Sequence, residues 1–314
     1  MNDNLMDVCR VCGSRAIAYL CDTRNEHSET KTLSNFRCET CGSVFVGNIV
    51  SGEELGNAYS CLNTRAYYEE IHAENLNKMA EAVQRLKNFV SAERRIIDIG
   101  TGNGQFVELL KKSGFQHVSA HEIEGSCLTK IESIADAIYQ DFDYSTIPSG
   151  AFDLATLLDV AEHVPDPAHL FHTCARILAD GGMLYLHTPV VTKTDRLMHR
   201  LLKIPVLRKS GSIWQRGRTS IFHLENYTPK SLTLLLEKAG FTNITIEVKN
   251  ELSWPVTRYV RVYLLDKQGL PRWLAPLLAP LAHPFLATDA FNANKAIVRA
   301  EKAPRPAAAQ PAKR

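Results

Sequence analysis

The chain has 314 residues, 36 Lys and Arg against 34 Asp and Glu, a net charge of +2 and 45% hydrophobic residues. That length suits one large α/β domain with a small accessory one, and the balanced charge argues against a wide nucleic-acid surface. The start Met1-Asn2-Asp3-Asn4-Leu5 lacks the basic and apolar regions of a secretory leader, and no run approaches the ~18 apolar residues of a spanning helix, so the expected location is cytoplasmic.

Metal chemistry comes first along the chain. Cys9-Arg10-Val11-Cys12-Gly13 and Cys38-Glu39-Thr40-Cys41-Gly42 are matching Cys-x-x-Cys-Gly turns with 25 residues between them. Thiolates at that spacing suit one tetrahedral ion, and the glycine after the second cysteine lets turn amides face sulfur. The expectation is a closed, structural Zn2+ site on Cys9, Cys12, Cys38 and Cys41 within a zinc-ribbon-like module over residues 1–50; a redox pair is the alternative. Phe36 and the run Val44, Val46 with Phe45 read as apolar ribbon strands. Cys21, Cys61, Cys127 and Cys174 show no pairing pattern and read as ordinary, mostly buried thiols. Residues 51–93 follow as a connector and helical cap, with Ile71, Leu76, Met79, Val83, Leu86 and Phe89 at helical spacing.

From residue 94 strands and helices alternate. Ile96, Ile97 and Ile99 form a short apolar strand, and Phe106, Leu109 and Leu110 an apolar helical face; between them lies Asp98-Ile99-Gly100-Thr101-Gly102-Asn103-Gly104. Strand, glycine turn and helix make a nucleotide crevice at the carboxyl end of a sheet, because glycine tolerates positive φ and lets a ligand lie on bare backbone. Gly-x-Gly-x-Gly is not the dinucleotide fingerprint, since Gln105 follows and the third glycine arrives one residue early. Asp98 just before the turn would attract an ammonium and repel a pyrophosphate, so a cationic nucleoside fits better than NAD. A second strand over 117–122 ends on Glu122, eighteen positions after Gly104, with Ile123 next; Glu124 competes for its role but falls beyond the strand. Residues 138–142 read as a third strand tipped by Asp141 and Phe142. A fourth, 152–159, is apolar enough to be buried on both faces and runs through Asp159 into Val160-Ala161-Glu162-His163-Val164-Pro165-Asp166-Pro167. The fifth is 183–187, after the turn Asp180-Gly181-Gly182. Thr228 then caps a helix that opens on Pro229 and stops at Gly240. Strands at 244–248 and 296–299 close the domain, 94–300, and residues 301–314 are a low-complexity tail expected to be disordered.

In order and spacing, these motifs resemble the class I S-adenosylmethionine-dependent methyltransferases, in the methyltransferase type 23 and ubiquinone-type O-methyltransferase branch. Residues 160–167 are very similar to that branch's E-V-x-E-H-V-x-D-P signature. The resemblance implies an α/β, Rossmann-like seven-stranded sheet with an antiparallel last strand, S-adenosyl-L-methionine as methyl donor, and methyl transfer as the activity. It implies donor contacts from Asp98, Gly100, Thr101, Gly102, Gly104, Glu122, Ile123, Asp141, Phe142 and Asp159. Within these, Glu122 takes the ribose hydroxyls, Asp141 the adenine amine, and Phe142 the base. In related enzymes a helix before the first strand covers the cofactor, which brings Tyr67 and Tyr68 into view. Asp159, Glu162 and His163 match acids and a histidine that some relatives place around a divalent ion, although Asp stands here for the first Glu.

Two segments outside the common core, 190–227 and 251–292, are expected to select the acceptor. Between Lys193 and Arg218 stand eight bases (193, 196, 200, 203, 208, 209, 216 and 218) against one acid, Asp195, interleaved with Leu and Met. That pattern suits the phosphates of an activated sugar or an anionic membrane surface; a solvated outer face over an apolar lid is the plainer reading. Residues 270–286 are too Pro-broken to span a bilayer and read as padding for the acceptor pocket or a dimer contact. His163, His187 and His223 are the candidates to take a proton from the acceptor, and 222–228 is similar to the H-x-x-x-Y/F-[ST] stretch of small-molecule methyltransferases. The leading expectation is O-methylation of a sugar or related small metabolite. The knuckles also resemble deoxysugar C-methyltransferases, which carry an additional C-terminal domain, and zinc-module ribosomal-RNA methyltransferases, whose knuckles are closer together. A zinc-organised binding protein with a relic pocket is the non-enzymatic alternative, and the intact donor motifs speak against it.

Overall fold

The two cysteine turns punctuate a short meander whose strands are β1 (Ile17–Arg24), β2 (Thr32–Cys38) and β3 (Val44–Val46). The computed structural model describes residues 5–24, 32–50, 55, 72–123, 131–207, 214–215, 217–252, 255–266 and 269–304. The expectations for Tyr67, Tyr68, Glu124, Cys61, Cys127, Arg208, Lys209, Arg216 and the tail beyond 304 lie outside these residues. Each strand pairs antiparallel with the next.

A sustained helical pattern yields α1 (His72–Lys87), which packs Val83 and Leu86 inward. The sheet domain begins with β4 (Arg95–Ile99), and α2 (Gln105–Lys112) follows the glycine turn. Next come β5 (His117–His121), β6 (Ile138–Tyr139), β7 (Phe152–Leu158), α3 (Pro167–Ile177) and β8 (Leu178–Pro189). The third strand is shorter than expected because the chain turns at Asp141, whose carboxylate accepts from the amide of Thr146. The fifth is longer, since Leu178 pairs with Phe152 and pairing resumes at Met183 after a bulge through Gly181 (φ 74°).

Beyond β8 lie α4 (Lys193–Leu201), the two-residue β9 (Glu225–Asn226), α5 (Pro229–Lys238), β10 (Phe241–Lys249), α6 (Ala275–Leu286) and β11 (Lys295–Lys302). Thr228 caps α5 as expected, through a reciprocal pair with Ser231. The large sheet has seven strands in the order β10-β11-β8-β7-β4-β5-β6; β4 through β8 run parallel and β11 antiparallel to both its neighbours. Helices cover both faces. Leu170 and Phe171 of α3 and Leu232 and Leu235 of α5 lie in one buried cluster, and Leu86, Phe106 and Leu110 of α1 and α2 in the other.

The small sheet is not closed on itself. Its order is β1-β2-β3-β9, so Glu225 and Asn226 from the 190–227 segment supply its fourth strand, opposite Phe45 and Val44. Phe45 and Tyr227, both fully buried, share one apolar cluster with Ile97, Leu157 and Leu186 of the large sheet.

Candidate functional site

The parallel strands β4, β5, β6, β7 and β8 carry the donor-site candidates, His163 and His187 at or just past their carboxyl ends, where an open α/β sheet leaves a crevice; His223 comes from the segment before β9. At the end of β4 the chain leaves the sheet through Gly100 (φ 68°) and enters α2 from Gly104 (φ 78°). A Cβ on Gly104 would stand 1.8 Å from Ile131 Cγ2, so both conformation and space demand glycine there. The amides of Gly100 and Thr101 donate to the His121 carbonyl at 2.9 and 3.0 Å and tie the corner to β5.

Asp98 is buried beneath this corner, and its Oδ1 accepts from Thr156 Oγ1 at 2.7 Å. Burial pushes its carboxyl up to about 7; Thr156 and Thr101 oppose the rise and nearby Glu122 adds to it. Among the described residues no Lys, Arg or His lies within ion-pair distance of it. Glu122 follows β5 and turns back over the loop, accepting from the amides of Gly102 (2.7 Å) and Ile123 (2.8 Å). At the tip of β6, burial acts to raise the Asp141 carboxyl, but the hydroxyl and amide of Thr146, the Tyr144 amide and His121 hold it below its ordinary value. Phe142 beside it is 63% exposed, an open ring at the crevice edge. The structure thus brings Asp98, the three glycines, Glu122, Ile123, Asp141 and Phe142 around one corner.

The mouth of β7 and β8 is a charge network. Asp159, at φ 55°, accepts from His187 Nδ1 (2.9 Å), from Lys295 Nζ (2.6 Å) and from Lys78 Nζ. Burial acts to raise its carboxyl, yet Lys295, Lys78 and His187 hold it well below the usual carboxylate range. His187 Nε2 faces Glu251 Oε2 at 3.1 Å. With a carboxylate on each ring nitrogen, both nitrogens donate. Burial alone would strip that proton, but Asp159 and Glu251 outweigh it and hold the imidazole above its ordinary value. His187 therefore stands between two acids that favour its charged form.

His163 and His223 form a different pair, ring centroids 4.6 Å apart and edge to face. Burial, with His163 and Lys295 beside it, drives His223 well below its ordinary value and keeps it a neutral imidazole. Glu162 is fully buried and accepts from Thr188 Oγ1 at 2.9 Å. Asp159, Glu162 and His163 do not form the divalent-ion arrangement that the resemblance implied, since Asp159 is engaged by two lysines and a histidine.

Among the described residues, Cys9, Cys12, Cys38 and Cys41 are the one group of three or more potential ligands whose donor atoms all lie within 4.8 Å. Cys9 and Cys41 sulfurs stand 3.6 Å apart and those of Cys12 and Cys38 3.5 Å. A tetrahedron with ~2.3 Å Zn–S bonds has edges of ~3.8 Å, so the four sulfurs fit one such ion. Gly13 (φ 73°) and Gly42 (φ 82°) turn the knuckles, and the Cys41 amide donates to Cys38 Sγ at 3.4 Å. The N-terminus of α5 clasps the second knuckle, where Thr228 Oγ1 donates to the Cys41 carbonyl and Lys230 Nζ to that of Thr40, each at 2.7 Å.

Sequence reasoning missed Lys78, Lys295 and Glu251. The available signal was a charge set among inward apolar positions: Lys78 between Leu76 and Met79, and Lys295 opening an apolar strand.

Residues 69–246 match the methyltransferase domain family. The chain is similar to the ubiquinone biosynthesis O-methyltransferase of Xanthomonas axonopodis pv. citri (strain 306), 29% identical over 126 residues, 38% of this chain and 51% of that protein. It is similar also to that of Xanthomonas oryzae pv. oryzae (strain PXO99A), 30% identical over 105 residues, 31% of this chain and 44% of that protein. The matches thus span about half the length of these curated relatives. Among solved structures, a SAM dependent methyltransferase from Archaeoglobus fulgidus superposes with TM-score 0.51 at 18% identity, over 77% of this chain and 100% of that one. A chain in the complex of the Haloferax volcanii Trm112 methyltransferase activator gives 0.52 at 14% identity, over 80% and 98%. These likenesses are of fold.

Proposed function

Since this chain belongs to the methyltransferase domain family, we propose that it transfers a methyl group from S-adenosylmethionine to a hydroxyl of a small-molecule acceptor. The observation that carries the reading is Asp98: a buried carboxyl under a glycine corner, with no cation beside it among the described residues, suits the donor's ammonium. Around the same corner Glu122 would accept the ribose hydroxyls, Asp141 the adenine amine, and Phe142 would lie on the base. The donor supplies an electrophilic sulfonium methyl. The protein's part is to hold methyl carbon and acceptor oxygen in line, worth up to ~7–11 kcal/mol as pre-arranged encounter, and to take the acceptor's proton.

Of the three candidate histidines, His223 and its neighbour His163 suit proton removal, because His223 is kept neutral. His187, whose ring nitrogens both face carboxylates, suits orientation of the acceptor through Asp159 and Glu251. The polar mouth made by Lys78, Lys295, Glu251 and His187 supports a hydroxyl-rich acceptor such as a sugar or related metabolite, and the curated relatives named O-methyltransferases support oxygen as the acceptor atom. The four cysteines would hold one structural zinc, closed to chemistry by its four sulfurs.

Incubation with methyl-labelled S-adenosylmethionine and a fractionated metabolite extract tests this reading. Label should enter a polar hydroxyl compound. With that acceptor, His223→Ala should lower kcat about 100-fold or more while donor affinity stays unchanged. Unchanged turnover in both His223→Ala and His163→Ala would remove both from proton transfer, and transfer to carbon or nitrogen alone would contradict the oxygen assignment.

A further inference from the structure

The 251–292 segment carries an exposed apolar surface. Helix α6 buries only Ala275 and Ala279; Leu277, Leu281 and Phe285 on its outer side, with Trp273 in the 3-10 turn just before it, recur at four-residue intervals. Their exposures are 67%, 62%, 71% and 43%. Four large apolar side chains on one helical stripe form a continuous patch that water alone does not favour. No acid occurs from Gly269 to Thr288.

The Phe285 end of this stripe meets α4. Thr194 Oγ1 donates to the carbonyls of Phe285 (3.1 Å) and Phe291 (3.2 Å), and the two phenyl rings stand 5.4 Å apart. The exposed side of α4 carries Lys193, Arg196, Leu197 and Arg200, continuing through Lys203, Ile204 and Val206. Its one acid, Asp195, is buried and bonded to Arg218 and Trp214. Among the described residues none of the bases Lys193, Arg196, Arg200 and Lys203 has an ion-pair partner.

We infer that α6 and α4 together form a membrane-docking face that rests on an anionic phospholipid bilayer. The Trp273–Phe285 stripe sinks into the headgroup and acyl boundary, and the α4 bases meet lipid phosphates. The occupant follows from charge. An apolar stripe beside a run of cations, where the neighbouring exposed acids Asp266 and Asp289 are held by Arg272 and the Asn250 amide, complements a surface that is apolar beneath and anionic above. A second copy of the same face would bring like charges together. No helix among the described residues is long and apolar enough to cross a membrane. The inference is independent of the methyl-transfer reading.

The test is sedimentation of the full chain with vesicles of phosphatidylcholine alone or mixed with phosphatidylglycerol, at low and high salt. Binding should occur on the mixed vesicles, weaken with salt, and disappear in Leu277→Glu/Leu281→Glu, whose sites are exposed and leave the core intact. Arg196→Gln/Arg200→Gln should weaken it by about fivefold per charge removed. In the unaltered chain, mixed vesicles should shift Trp emission to the blue, and Trp273→Phe should abolish the shift. No binding, equal binding to uncharged vesicles, or binding unaffected by the leucine changes would overturn the inference. So would a stable dimer that ignores vesicles and that the leucine changes dissociate.

Discussion

Asp98 gives the donor corner a measurable pH signature. Its folded value of about 7 stands above the ~3.9 of an unfolded Asp, so between those limits the folded state holds the extra proton. This residue's contribution to stability therefore falls as pH rises from about 4 to 7. An arriving ammonium reverses the preference and expels the proton. Calorimetry at pH 6, in buffers of differing ionisation enthalpy, should read nearly one proton released per donor bound, approaching none by pH 8. Asp98→Asn should erase that release and weaken binding at least about tenfold, as for the loss of a charge-assisted bond; an unchanged proton count would exonerate the residue. Asp98 stood out because its signal is local, an acid two positions before the glycine run. The cage around Asp159 was not, because Lys78 and Lys295 arrive from 81 and 136 residues away.

At the scale of elements, the cysteine module and the large sheet are joined by β9 and by the cluster that Phe45 and Tyr227 share with the sheet strands. Removing the proposed metal should therefore act beyond the ribbon. Structural zinc contributes ~10–16 kcal/mol to the folding of small zinc modules. Cys9→Ser should accordingly lower Tm in one cooperative transition and weaken donor binding as well. A ribbon that melts alone, with the sheet domain's Tm unchanged, would contradict this coupling; so would purified protein without close to one zinc per chain. The knuckles, the glycine corner and the capped α5 could be read directly, because cysteine spacing, glycine position and Thr-Pro capping are short-range signals. The strand β9 could not, since two residues carry no periodicity. Residues 275–286 form a helix despite Pro280 and Pro284. With Pro276 these prolines recur every fourth residue, so the missing N–H groups fall on one side of the helix.

Across the whole molecule, the seven-stranded sheet and its antiparallel last strand agree with what the resemblance implied, because each motif marks a strand end. What motif order leaves open is which acceptor the two insertions admit, since that depends on surfaces assembled from distant segments. Titration calorimetry of the intact chain with S-adenosylmethionine probes the glycine corner itself. The expectation is saturable binding of one donor per chain, abolished by Gly104→Val, with no comparable binding of NADH or ATP. A corner that ignores S-adenosylmethionine and takes a dinucleotide or a nucleoside triphosphate instead would contradict it.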